Sequence, residues 1–459
     1  MKIAFIPFKV FSLLFILIAF YSCKKLVDID PSANLINSET VFISDGTAIA
    51  AINGVYAQMR QLNNSMTNGG LSLFTGLSGD EIYNTSASLI YDPFFKDSIP
   101  PENVTINRNF WTEAYSNIYK VNAIIEGLSK STSLTVTVKN QLLGEAKFIR
   151  SFYYLYLVNL FGDVPLITTT DYRLNEKMPR TAVAQVYQQI TSDLLDAENY
   201  LIVTYPSSGK ARANKWTAIS ILARVYLYQK NWLEAEAKSS AIINSGVYNL
   251  VSNLSNVFLK SNSETIWEIE PRNASGNTVE GANFIPSSST VKPGFALTSH
   301  LLNSFESGDQ RRSVWTKSNT LSGVVYYYPY KYKIRSSTTV NEHNIVLRLA
   351  EQYLIRSEAR AQQGNLFGCQ ADLNVIRNRA GLPNTPAVTQ QELLLAIEQE
   401  RKIEFFSEWG HRWFDLKRTG KINEVLSSQK PFWKPFSALY PIPFSQIQLN
   451  LFLSQNPGY

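Results

Sequence analysis

Along most of this chain, apolar residues recur at steps of three and four, which places them on one face of a helix. In "QLLGEAKFIRSFYYLYLVNLFGDVP" the stripe is Leu142, Ala146, Ile149, Tyr153, Tyr156 and Leu160. Gly162 stands where a C-terminal cap is expected, and Pro165 prevents the helix from continuing. "TAVAQVYQQITSDLLDAENYL" repeats the pattern with Val183, Val186, Ile190, Leu194, Ala197 and Leu201, and Thr181 is its candidate N-cap.

Two segments read as helical hairpins. "NKWTAISILARVYLYQKNWLEAEAKSSAIINSG" predicts a helix near 215–229, a tight turn at Lys230-Asn231 and a second helix near 232–244, closed by Gly246. Small Ala218 and Ala223 alternate with large Leu222, Tyr226 and Trp232. This resembles a tetratricopeptide-type hairpin, in which small residues let paired helices approach. "VLRLAEQYLIRSEARAQQGNLFGCQADLNVIRNRAGLP" predicts a second hairpin that turns at Gly364-Asn365 and ends at Gly381. After it, Thr389 and Glu392 form a capping-box signature. The two hairpins are far apart in sequence, so no regular solenoid is expected. The pattern predicts a mainly α fold: helical hairpins as a scaffold, a loop-rich face and a few short β-strands.

The loop-rich part comes from two stretches, about 61–105 and about 250–340, that lack sustained periodicity and are rich in Ser, Asn, Gly, Thr and Pro. Both carry aromatics: Phe74, Tyr83, Tyr91, Phe94 and Phe95 in the first; Trp267, Phe295, Trp315, Tyr326, Tyr327 and Tyr328 among those in the second. Disordered segments are poor in aromatics, so these are read as ordered loops packed on the helices. "VVYYYPYKYKI" has strand composition, and Pro329 marks it as an edge.

Composition adds a location. The run Val10–Phe20 is too short to span a bilayer but fits the apolar centre of a signal peptide, with Lys2 and Lys9 ahead of it. Ser22 precedes Cys23, an arrangement that resembles a lipoprotein cleavage and acylation site. Each buried acyl CH₂ contributes about 0.8 kcal/mol, so several acyl chains on Cys23 would hold the protein on a membrane. Residues 1–22 are therefore read as a leader and 23–459 as one domain: an N-terminal part to about 250, a loop-rich insert of about 251–340 and a C-terminal helical part from about 341. The net charge of +6 includes Lys2 and Lys9 and shows no basic block, which excludes nucleic acid as a partner. Cys369 is the only other cysteine, so with Cys23 acylated no intrachain disulfide can form, and with only His300, His343 and His411 as histidines a Cys/His zinc site is nearly excluded.

Candidate chemistry divides in two. Glu400, Arg401, Glu404, Arg412, Asp415 and Arg418 could suggest acid–base catalysis. Carboxylates interleaved with arginines are held ionised, however, which suits ion pairs better than a general acid. Asp163 in "FGDVP" is read as capping a turn. The loops carry flat rings next to hydrogen-bonding side chains, the pattern that grips pyranose rings. The ligand-binding candidates are Asp80, Tyr83, Asn84, Tyr91, Phe94, Arg311, Trp315 and Tyr326. No calcium-loop motif occurs, and no metal or cofactor is assigned.

An ordered set of motifs resembles the SusD/RagB family of outer-membrane nutrient-binding lipoproteins. It comprises Cys23 with "KKLVDIDP"; "FWTEAYSNIYKVNAIIEGL"; "GEAKFIRSFYYLYLVNLFGDVPLI"; "ARVYL"; "RLAEQYLIRSEARAQQG"; "IEQERKIEFFSEWGHRWFDLKRTG"; and the tail "LYPIPFSQIQLNLFLSQNPGY". The resemblance implies a tetratricopeptide-like scaffold, no catalysis, and capture of a glycan or oligosaccharide at the loop face. It also implies anchoring through Cys23 to the outer membrane, facing the exterior, and delivery to a SusC-like TonB-dependent transporter. It carries over the loop region and no particular ligand residue. The rival readings are a surface glycoside hydrolase, a tetratricopeptide-type protein-interaction scaffold and a peptide-binding uptake subunit. The tail is expected to run extended and to pack on the chain's own helices.

Overall fold

A computed structural model describes residues 38–459 apart from 273–275. The expected leader and the expected acylation site at Cys23 lie outside the described residues. Eleven helices matter for the argument. They are α1 (Asp45–Met59), α2 (Glu113–Lys130), α3 (Val136–Phe161), α4 (Val183–Tyr200), α5 (Lys215–Tyr228), α6 (Trp232–Asn244), α7 (Leu349–Gln362), α8 (Leu366–Arg379), α9 (Gln390–Glu404), α10 (His411–Arg418) and α11 (Ile422–Gln429).

The predicted helices form where the periodicity placed them. The α5–α6 and α7–α8 hairpins turn at Lys230, φ 59°, and Gly364, φ 81°, backbone values that suit an unbranched or absent side chain. Asn231 and Asn365 cap the second helix of each. The capping box of Thr389 and Glu392 opens α9 as read. One expectation is corrected at α4, where the residue before the helix is Ala182 and Thr181 is not the cap. Thr181 pairs its backbone with Val164, and Asp163 accepts from the Val183 amide at 3.0 Å. The carboxylate of "FGDVP" therefore caps the next helix from across the turn.

Helix α3 is buried on nearly every side and acts as the axle. It packs against α2 and α4, and the stack continues through α5, α6, α7 and α8. Gly144 lets the end of α4 close in, because a Cβ there would come within 2.7 Å of Leu201. The hairpins separated in sequence are thus neighbours in space, with α6 lying on α7. The 250–340 segment loops out between them and returns.

The strands are β1 (Ile82–Asn84), β2 (Thr265–Ile269), β3 (Phe295–Leu297), β4 (Thr316–Leu321), β5 (Val324–Pro329) and β6 (Asn344–Arg348). They pair as three antiparallel two-stranded ribbons, β1 with β3, β2 with β6 and β4 with β5. Each ribbon is too small to stand alone and leans on the helices. Trp267 on β2 is fully buried, edge-on to Phe148 and Phe152 of α3 at 4.9 and 5.0 Å. The tail packs on the chain's own helices, with Tyr440 and Ile442 buried and Asn456 bonded to the Phe161 and Tyr440 carbonyls. It is not wholly extended, because residues Phe444–Leu449 form a helical turn. No helix among the described residues is long and apolar enough to cross a membrane.

Candidate functional site

The loop face opens as a cleft of about 660 Å³. That volume lies within the range of small-ligand sites. Its walls come from five parts of the chain, one of them the 297–302 segment that carries His300. β1 pairs with β3 so that Tyr83 sits opposite Ala296, and strand alternation buries Ile82 while leaving Tyr83 half-buried at the cleft. β5, packed beside β3, supplies Val325 and Tyr327. Phe95 comes from the short helix Asp92–Phe95. The turn after α11 supplies Phe432, whose ring is 59% exposed and free to meet a ligand. Tyr83, Phe95, Tyr327 and Phe432 thus bring four rings to one open cavity.

The polar side is anchored on Asp80. Arg412 grips its carboxylate with two bonds, of 2.9 and 2.8 Å, while His300 stands 3.4 Å away and Lys402 3.7 Å. Burial alone would raise the Asp80 pKa; the Arg412 bonds and charge, helped by Lys402, outweigh it and hold the group at about 2. Glu81 behaves in the opposite way. Burial and the neighbouring Asp80 charge push it up to about 8, and its oxygen faces inward to the Ser407 amide at 3.2 Å. His300 is half-exposed; burial, then the Lys402 charge, lowers its pKa, so its ring is neutral at neutral pH. The Gln429 amide nitrogen lies 3.1 Å from its Nε2. Tyr83 has a raised pKa through burial and, secondarily, the nearby Tyr326 hydroxyl. The cleft is thus lined by rings, amide and imidazole groups, Lys96 and Lys430, and, among the described residues, one carboxylate, Asp80, which Arg412 already holds.

The structure divides the sequence-predicted site residues. Asp80 and Tyr83 line the cleft, and Tyr326 adjoins Tyr83. Asn84 shapes the turn beside the cleft by bonding Asp92 and the Ser88 carbonyl, both at 3.1 Å. Tyr91 packs edge-on to Phe295 at 4.7 Å and supports β3 from behind. Three candidates do not line this cleft, and each is enclosed and engaged by the protein's own groups. Phe94 is fully buried against Phe74 at 4.4 Å and Tyr440 at 5.9 Å. Trp315 is fully buried and donates its Nε1–H to the Leu254 carbonyl at 2.9 Å. Arg311 is buried among Asp309, Glu400 and Glu404.

Sequence reasoning passed over Phe432, His300 and Gln429. Phe432 had one signal, an aromatic in the proline-bracketed "KPFWKP". The charged C-terminal motif forms ion pairs throughout. Glu404 bonds Arg311, Arg348 and Arg379, and Arg401 and Arg418 both reach Asp415. Among the described residues no three His, Cys, Asp or Glu converge to hold a metal ion.

Comparison with known proteins agrees across the chain. A family model described as "Starch-binding associating with outer membrane" matches residues 35–227, and one described as "SusD family" matches residues 296–459. The curated SusD-like protein P25 of Formosa agariphila is 26% identical over 97% of this chain and 98% of its own length. A SusD superfamily protein from Bacteroides vulgatus superposes with a TM-score of 0.80 at 19% identity, covering 90% of this chain and 99% of that one. A laminarin-binding SusD-like protein superposes with a TM-score of 0.76 at 26% identity, again over 90% of this chain and 99% of that one.

Proposed function

This chain belongs to the SusD/RagB family, and on that footing we propose that it captures a glycan in the Tyr83 cleft and passes it to a TonB-dependent transporter in the outer membrane. One observation carries the reading: four rings, of Tyr83, Phe95, Tyr327 and Phe432, share an open cavity with hydrogen-bonding groups and no free carboxylate pair. Aromatic faces stack on the apolar faces of sugar rings, and the amide, imidazole and phenol groups suit hydroxyls. The family's own description as starch-binding and the laminarin-binding relative support a carbohydrate ligand.

The chemistry of the cleft favours binding over cleavage. Glycoside hydrolysis needs two carboxyl groups flanking the bond, one of them protonated. Asp80 is held ionised by Arg412, and protonated Glu81 is turned into the core. In the proposed cycle the protein stands on the outer face of the membrane, tethered through an acylated Cys23. It takes up the glycan at the loop face and releases it inward.

The test is a glycan panel, laminarin included, titrated by calorimetry into residues 24–459, with released reducing ends assayed in the same mixtures. Saturable binding without new reducing ends is the expected result. Cleavage, or silence on every glycan, would overturn the reading. Co-purification of the full-length protein with a barrel transporter, lost when Cys23→Ser prevents acylation, checks the anchoring and the partner together.

A further inference from the structure

A second cleft, of about 670 Å³, lies on the helical side, where α9 meets α7, α10 and the turn entering α6. Trp232, Leu394 and Leu395 form an apolar wall, with Leu395 52% exposed. Arg401 also lines it and is only 2% exposed. Its Nε donates to Asp415 at 2.8 Å. Its Nη1 and Nη2 are buried and have no hydrogen-bond partner among the described residues. No other arginine there leaves both terminal nitrogens buried and unpaired. Neighbouring Arg418, by contrast, is engaged by Glu358 and Asp415.

A buried guanidinium with an idle fork is costly unless an acceptor meets it. A planar carboxylate, which can take two parallel N–H bonds, fits the fork best. The surrounding charge does not oppose an anion. The acids in the cleft are already matched, Glu358 and Asp415 by Arg418 and Glu398 by Lys421. Lys230 adds a further cation at the rim.

We propose that this cleft is a second binding site, which takes a small ligand by its carboxylate on Arg401 while Trp232 and Leu394 flank the ligand's apolar part. The site is separate from the Tyr83 cleft and does not rest on the glycan reading. A carboxylate can come from a uronic-acid sugar or from a peptide C-terminus, and the probes distinguish the two.

The experiment is ligand-observed saturation-transfer NMR on residues 24–459 with glucuronate and the dipeptide Gly-Leu, against glucose and Gly-Leu amide. Saturation of an acid but not of its neutral counterpart is expected. Glucuronate alone would assign sugar acids, the dipeptide alone would assign peptide ends, and both together would assign the bare carboxylate. Arg401→Lys keeps the charge, removes the fork and should weaken binding about tenfold, the loss of one charge-assisted hydrogen bond. Leu395→Glu sets a like charge on an exposed wall where folding is unaffected, and should weaken binding several-fold even if Arg401→Lys fails to fold. No saturation by either acid at tens of millimolar, equal saturation by acid and amide, or undiminished binding by Leu395→Glu would each overturn the proposal.

Discussion

The Tyr83 cleft and the hub around Glu404 are made of similar residues, charged groups among aromatics, yet they differ in what remains available. In the hub, Glu404 meets Arg311, Arg348 and Arg379, while Lys331 bonds Glu408 and passes over the Phe406 ring at 4.1 Å. Every charge there is matched inside the protein, and burial would raise the Glu404 pKa were it not held well below the usual carboxylate range by three arginines. In the cleft, rings are left partly bare while Asp80 and Lys430 are tied up by the protein's own groups. The most charged motif of the sequence therefore binds the C-terminal helices to the insert, and the proposed ligand face is written in residues of plainer appearance.

The sharpest way to break this comparison is Glu404→Ala. It takes one carboxylate from three buried arginines, which keep only Asp309, Glu400, Glu264 and Glu408 between them, and removing one partner of a buried ion pair costs about 3–5 kcal/mol. Thermal unfolding should show a large drop or an insoluble product. A variant that melts like the parent would mean that the hub does not hold the insert. Phe94→Ala should cost a comparable amount, about 3–5 kcal/mol for emptying a buried phenylalanine site. Glycan affinity per folded molecule should stay unchanged. A selective loss of affinity with normal stability would return Phe94 to the ligand site.

Carboxylates buried without cations behave differently from Glu404, and pH exposes the contrast. Glu113 on α2 accepts from the Tyr153 hydroxyl at 2.7 Å and from Asn117 at 3.0 Å. Burial raises its pKa from 4.5 to about 8, more than these bonds lower it. The folded state therefore keeps the proton that the unfolded state releases. Its contribution is fully present below pH 4.5 and is lost as pH rises through about 8. Denaturant unfolding across that window should show stability falling with pH, less steeply in Glu113→Gln. Identical slopes in the two proteins would mean that Glu113 is ionised in the fold.

The neighbouring residues Phe94 and Phe95 show how far the sequence could be read. Both lie in the four-residue helix Asp92–Phe95, yet Phe94 is core and Phe95 lines the cleft. One helical turn has no period to show which side faces in. The long helices were legible because their stripes repeat over many turns, and α9 even announced its capping box. The loop face was not legible, because its register is set by partners far away in sequence. Tyr83 pairs with Ala296, and Phe432 arrives from beyond α11. The same distance hid the stacking of α6 on α7, which only the excursion of the insert makes possible. Trp315 and Arg311 could not be placed for a related reason: each sits in a loop-like stretch, and each is enclosed by groups that come from elsewhere.

Within the cleft, Tyr83→Ala and Phe432→Ala should each weaken glycan binding about tenfold. That corresponds to about 1–1.5 kcal/mol for one lost stacking ring. Stability should hold, because neither ring is buried in the core. Unchanged affinity in both variants would move the ligand off this face.

The smallest effect belongs to Lys96, which lines the same cleft. Its ammonium meets Asp92 at 3.1 Å, and its side chain is 48% exposed. Exposed pairs of this kind are screened by water and salt and contribute under about 0.5 kcal/mol. Lys96→Ala should therefore leave the unfolding transition in place and shift affinity for a neutral glycan by less than about threefold, since a flexible ammonium loses entropy for each bond it makes. The rings would then carry the recognition and the charges the framework, as in the hub. A tenfold loss in Lys96→Ala that disappears at high salt would instead set the cation beside Tyr83 as a direct contact, and would mark the cleft as one that reads charge as well as shape.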